Sequence, residues 1–477
     1  MIQWAVGEDC GWRQVLCRAA VAGGSLCILK WAHANDCPWD ASICSEAAGL
    51  GHFDILRWAR SEFCPWNSET CSEAAEGGHF GILRWAHIND CPWDDTTCSA
   101  AAGAGYLDIL KWARSKNCPW NGRTCSKAAE SGHLDILQWA RANVCPWHET
   151  TCSEAASSGH LDILRWARSE NCPWNSDTCS KAAAGGHLGI LQWARAHGCD
   201  WDDQTCGGAA AGGHLEVLQW ARANGAGWSD STTYRAAKGG HLELLKWAKA
   251  QGCPWNTYHV YAGAMKTGHL DMLQWLLTQG CTVHENSGNI AAVEGHLHIL
   301  EWMQASHHAW KKGRVCKSAA IGGHLDVLQW ARANGFYWDG RVCAKASREG
   351  RFEVLDWARR NGCPWDEDTC SHAAAGGHLR ILKWARAQAC PWNRDTCTAA
   401  AVHGQLEVLE WARVNGCPWD EQTCAGAAQS GRLDVLQWLR ENGCPWDHTT
   451  YREAELFEHQ DVMNWARLHG CPLEEQG

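Results

Sequence analysis

A chain of 477 residues with a formal charge of −11 and a pI near 6.1 lacks the cation excess of an extended nucleic-acid footprint, which argues against nucleic acid as a partner. Apolar residues at 45% and charged residues at 20% are ordinary globular proportions, and no apolar run reaches the ~18 residues of a membrane span. With no basic-then-apolar leader and no Asn-x-Ser/Thr sequon, the expectation is an intracellular, cytoplasmic chain without a membrane partner.

The chain opens as if inside a helix, because Met1-Ile2-Gln3-Trp4 matches Ile136-Leu137-Gln138-Trp139. Residues 1–12 therefore read as a partial repeat with an upstream segment missing. From there a unit of about 27 residues recurs, and all 34 tryptophans fall on two of its positions. One row runs from Trp4, Trp31 and Trp58 to Trp465, and the other stands eight residues later, as Trp365 follows Trp357. Periods of roughly 20–50 residues belong to stacked repeats, which present one long surface instead of a single pocket.

Within one unit, Trp365-Asp366-Glu367-Asp368-Thr369 supplies N-cap chemistry for an Ala-rich helix that stops at Gly376-Gly377. His378-Leu379-Arg380-Ile381-Leu382-Lys383-Trp384-Ala385 then carries apolar residues at helical spacing over a wide face. Gly362 ends the equivalent helix of the unit before, and Pro364 bars its continuation. Each unit reads helix, tight turn, helix, loop, with no strand pattern. The expected architecture is an all-α solenoid of about 17 stacked helix-turn-helix repeats, a single domain over residues 1–477.

The run Ala-Ala-x-x-Gly-His-Leu-x-x-Leu-x-Trp-Ala-x-x-Asn-Gly-Cys-Pro-Trp-Asp resembles the ankyrin repeat across essentially the whole chain. Thr369-Cys370-Ser371 stands at the start of the first helix of that family, Trp384 at an aliphatic position of the second helix, and Trp365 at the apolar loop position. The unit is about six residues shorter than the ankyrin repeat, lacking those that form the projecting β-hairpin finger. The resemblance implies a non-catalytic protein–protein interaction scaffold, monomeric, that binds its partner along a concave surface lined by first helices.

Farther along, residues about 256–320 diverge. The tryptophan interval lengthens to 28 residues, Val283 replaces the loop Trp, and a polar run His307-His308-Ala309-Trp310-Lys311-Lys312 appears. A bend in the superhelix is expected there, with a local binding site as the second reading. The final unit, 447–477, is more polar (Glu453, Glu455, Glu458, His459, Gln460) and reads as a C-terminal cap.

Four rows could carry chemistry. The 29 cysteines fall fifteen before the loop Trp and thirteen seven residues later, Cys27 being irregular. At an expected ~8–10 Å between repeats they are too far apart for disulfides, which need Cα atoms within ~7 Å, and they read as small core hydrophobes. A bridge inside one unit, Cys363 to Cys370, stays geometrically open, as does a metal- or thiol-buffering role for the Cys and His rows. Both tryptophan rows read as core packing, the first deeply buried and the second partly exposed. The histidine row (His52, His79, His133 and onward to His378) reads as closing the turn between the two helices. A cation two residues after most members of the first Trp row (Arg60, Arg114, Arg141, Arg168 and onward to Arg467) suits a helix C-terminus and could pair with the acid after the loop Trp, such as Asp94, Asp202, Asp366 or Asp420. Its functional alternative is a ribbon for phosphates or nucleic acid.

Positions that vary lie on the first helix. Glu46, Glu73, Glu76, Lys127, Glu130, Glu154, Lys181, Arg235, Lys238, Lys266, Arg348 and His372 are the candidate partner-binding residues. No nucleotide-binding loop, zinc-protease or hydrolase motif occurs, so neither catalysis, a cofactor nor a metal is expected.

Overall fold

The computed structural model describes residues 12–306 and 310–473, Asp36 and Pro38 excepted. The partial repeat before Trp12, Cys10 and the His307-His308-Ala309 run lie outside the described residues. Among the described residues there are 34 α-helices and no strand, from α1 (Trp12–Ala22) to α34 (Gln460–Leu468). Two compact units divide the chain, residues 1–256 with nine helix pairs and residues 257–477 with eight. Each is a solenoid of stacked pairs, odd-numbered helices first and even-numbered helices second.

Local chemistry explains the pair. Before α27 (Glu367–Ala375), Asp366 has the extended backbone of an N-cap, and in the matching position Asp202 accepts the amide of Gln204. At the turn Gly377 takes φ +73°, a left-handed conformation that glycine adopts without cost, and His378 N donates to Ala373 O at 2.9 Å. Helix α28 (Leu379–Ala387) then buries Ile381, Leu382 and Ala385. Packing is tightest between successive first helices, where Ala128 and Ala129 are fully buried. A Cβ on Gly208 would stand 2.4 Å from Ser180 O, so α13 (Ser176–Ala184) and α15 (Asp203–Gly212) approach closer than any larger residue allows.

One sequence expectation needs correction, and two are extended. The first Trp row is not deeply buried, since every described member is half-buried. The aliphatic pair, as in Ile381-Leu382, takes the inner positions, and the larger indole lies along the flank against the loop Trp of the preceding pair. Trp384 meets Trp365 edge-on at 5.7 Å, and Trp166 meets Trp147 at 5.8 Å.

The cysteines pair differently from the Cys363–Cys370 geometry. Cys363 hydrogen-bonds the Cys343 thiol, and Cys390 that of Cys370, twenty residues apart across one helix pair. Each loop thiol also donates to the carbonyl of the N-cap residue that opened its own pair, as Cys64 does to Asp40 O at 3.4 Å and Cys199 to Asn175 O at 3.3 Å. Every described cysteine except Cys27 is buried and none is in a disulfide. Burial pushes the Cys206 and Cys316 thiols up to about 11, so they stay protonated at neutral pH.

Histidines, finally, close their own turn through the backbone, as His378 N does, and their rings also join neighbouring pairs. His187 Nε2 stands 3.0 Å from Ser157 O and His378 Nε2 3.0 Å from Arg348 O, thirty residues back at the end of the preceding first helix. The ring covers the preceding turn, where a Cβ on Gly350 would meet His378 at 2.7 Å. In the divergent stretch, Trp310 is buried over Gly288, whose Cβ would stand 2.1 Å from its ring.

Candidate interaction surface

Cations that follow the first Trp row are fully engaged within the fold. Arg168 stacks on Trp174 with its guanidinium carbon 4.3 Å from the ring centroid, and its Nη1 donates to Cys172 O. Arg413 lies 3.8 Å over Trp419 and donates to Cys417 O at 2.8 Å. The expected pairing with the acid after the loop Trp does not form. Asp94, Asp202 and Asp420 instead accept backbone amides at the starts of their helices, a stronger call on a carboxylate beside unsatisfied N–H groups. Where histidine replaces the cation, His33 stacks on Trp39 at 3.9 Å and His87 on Trp93 at 4.0 Å. In most pairs a cationic or imidazole side chain lies over the loop Trp face, Lys249 over Trp255 included.

The variable residues all lie on odd-numbered helices, and none is classed as buried. Glu46 is on α3 (Ala41–Gly49), and Glu73 and Glu76 are on α5 (Ser68–Glu76). Lys127 and Glu130 lie on α9 (Gly122–Glu130), Glu154 on α11 (Glu149–Ser157) and Lys181 on α13. Arg235 and Lys238 follow on α17 (Asp230–Lys238), Lys266 on α19 (Thr257–Thr267), Arg348 on α25 (Gly340–Arg348) and His372 on α27.

The first helices bring several of these residues together. Lys127 Nζ meets Glu130 at 2.7 Å, Lys181 meets Glu154 of the preceding pair at 2.6 Å, and Arg235 donates to Gln204 Oε1 at 2.5 Å. Glu46 faces Arg18 at 3.7 Å. A groove of about 370 Å³ between α5, α7 (Asp95–Ala104) and α9 is lined by Ser72, Glu76, Thr96, Arg123, Lys127 and Glu130. Partial burial, then Glu76 and Glu69, raise the Glu73 carboxyl above the ordinary carboxylate range.

Sequence reasoning missed four further members of this face. Arg314, Lys317, Arg341 and Lys345 join Arg348 and His372 on α23 (Val315–Gly322), its N-cap, α25 and α27. Lys345 Nζ stands 3.5 Å from His372 Nε2. Lys345 stands in the six-before column where Arg351 replaces the histidine, whereas Lys317 lies seven and Arg314 and Arg341 ten residues before that position.

The chain resembles helical-repeat proteins. No protein-family model and no curated protein matches it. Among solved structures, the maize pentatricopeptide repeat protein PPR10 aligns at 13% identity over 95% of this chain and 82% of that one, with a TM-score of 0.30. Its complex with an 18-nt psaJ RNA element gives 13% identity, coverage of 98% and 92%, and a TM-score of 0.25. The human ASB11 ankyrin repeat domain aligns at 17% identity over 38% of this chain and 96% of that domain, with a TM-score of 0.30. At such identities and scores, what those proteins bind does not transfer to this chain. Among the described residues no helix is long and apolar enough to cross a membrane, and no three His, Cys, Asp or Glu side chains gather as a metal site.

Proposed function

We propose that the chain is a non-catalytic scaffold that binds a protein partner along its first-helix face, the concave side in the ankyrin-like reading of the repeat. One observation carries this. Within a unit whose packing residues barely change, the variable charged side chains gather on one face and remain at least partly exposed. Variation on a solvated, grooved surface is where partner choice can be written without disturbing the core. The same reading takes the helix pairs as one cytoplasmic, monomeric repeat domain. Neither alternative gains comparable support. The Arg row already spends its guanidinium on a Trp face and a carbonyl, and the described members of the Cys rows are buried.

The test is affinity capture from native lysate with in situ cross-linking, using the chain and a Lys127→Ala/Glu154→Ala/Lys181→Ala/Arg235→Ala variant. The expected result is a protein partner cross-linked to odd-numbered helices and lost from the variant. A partner cross-linked to the Trp-bearing loops, or held equally by the variant, contradicts the reading.

A further inference from the structure

We infer that the stretch of this face on α23, α25 and α27 is a docking site for an acidic protein segment, an inference that rests on the scaffold reading and names its partner's chemistry. The repeats supply their own control. In residues 1–256 two first-helix lysines are neutralised inside the face, Lys127 by Glu130 and Lys181 by Glu154. In residues 257–477 Lys345 stands at the same repeat position without such a carboxylate, beside further cations on the same helices. Lys345 meets only the His372 ring, and Arg314, Lys317 and Arg348 have no carboxylate within ion-pair distance among the described residues. Arg341 alone is paired, with Asp339 at 2.6 Å.

The cluster works against itself. Burial, then Lys345, Arg341 and Arg314, draw the Lys317 ammonium below the usual lysine range, against the smaller opposing pull of Asp339. Burial, with Lys345 and Arg348, disfavours a charged His372, opposed by its bond to Asp368 O and by the Asp368 carboxylate. Charges that repel one another on a folded surface are relieved by a bound anion. Arg314, Arg341 and Arg348 are exposed, and Lys317 and Lys345 are half-exposed, so carboxylates can reach all five.

Size and borders favour a peptide over a nucleic acid. Three adjacent helices at ~8–10 Å spacing span about 20 Å, the reach of roughly six extended residues. Glu294, at the end of α21 (Ser287–Glu294), and Glu367 and Asp368 on α27 bound the positive stretch, where a continuous polyphosphate would meet like charge. Helices α23, α25 and α27 carry no Phe, Tyr or Trp on which bases could stack.

The experiment measures fluorescence anisotropy of two labelled probes, a short peptide of alternating Asp and Glu and an oligouridylate of equal charge, on the full chain. Lys317→Gln/Lys345→Gln/Arg348→Gln is compared with Lys127→Gln/Lys181→Gln, both checked for native circular dichroism. The expected result is peptide binding that weakens with salt, falls about tenfold in the triple variant and is unchanged in the control. No peptide binding, equal binding by the triple variant, or tighter binding of oligouridylate overturns the inference. Peptide failure beside a successful capture experiment removes this site alone. Peptide success beside cross-links confined to the loops removes the scaffold reading instead.

Discussion

Two flanks of each helix pair use the same kind of side chain to opposite ends. On the loop flank a cation is locked: Arg168 lies over Trp174 and donates to Cys172 O. On the first-helix flank of residues 257–477, Lys345 and Arg348 are tied to no carboxylate among the described residues. Changes along the chain show what each flank tolerates. Where Val283 replaces the loop Trp, the cation position holds Leu277, so both members of the stack are gone together. Where Leu473 replaces it, Arg467 turns to Tyr451, donating to its hydroxyl with its guanidinium 5.4 Å from the ring centroid. The first-helix column obeys no such rule, running Glu46, Glu73, Ala100, Lys127, Glu154, Lys181, Gly208 and Arg235. The cation and the loop Trp are lost together at Leu277 and Val283, whereas Gln304 stands at the cation position while Trp310 is kept. In the proposed reading the freely varying first-helix column is the one available to a partner.

The core shared by both flanks sets the largest effect. Leu137, on α10 (Leu134–Ala142), is fully buried, and Leu137→Ala is expected to cost about 2–5 kcal/mol by urea denaturation. Arg168→Ala comes next, at about 1–2 kcal/mol for a cation–π contact and a carbonyl bond lost together. A double-mutant cycle with Trp174→Leu should show that the two costs do not add. If they add, the stack is not one unit.

A smaller gain comes from the loop. Val144 holds φ +66° where other pairs have glycine, such as Gly198 at +81°, and its side chain is 83% exposed. Val144→Gly is expected to raise stability by about 0.5–1 kcal/mol, relief of a left-handed β-branched residue outweighing the added freedom of the unfolded chain. An unchanged or lower urea midpoint contradicts this. The smallest effect belongs to Glu73, on the variable flank. Its raised pKa means the folded chain holds that proton more tightly, so the associated stability is present below the ordinary carboxyl range and lost as pH rises through the folded value. Glu73→Gln should therefore melt slightly above the unsubstituted chain at neutral pH and level with it in acid, read as Tm against pH.

What the sequence makes legible is whatever depends on neighbours along one helix. The Asp caps, the Gly377 turn and the Ile381-Leu382 face all follow from spacing. Contacts that cross between elements were not legible, because a period tells which residues recur but not what they touch. The guanidinium of Arg168 reaches Trp174 only after the loop folds back, Cys343 finds Cys363 across a whole helix, and His378 reaches Arg348 O on the preceding pair. The depth of the first Trp row was misjudged for a related reason, since apolar character cannot say that Ile and Leu occupy the inner positions first. The variable face was found, yet its most positive stretch was not, because charge compensation depends on the adjacent repeat.

The division of labour between the flanks is tested most directly by Tm for two matched variants, Arg141→Gln/Arg168→Gln/Arg195→Gln and Lys127→Gln/Lys181→Gln/Arg235→Gln. Each removes three cations from comparable repeats. The expected result is a drop of several degrees for the first, from about 1 kcal/mol or more at each stack, and almost none for the second. Equal losses, or a larger loss from the first-helix set, would contradict the assignment of one flank to the fold and the other to a partner.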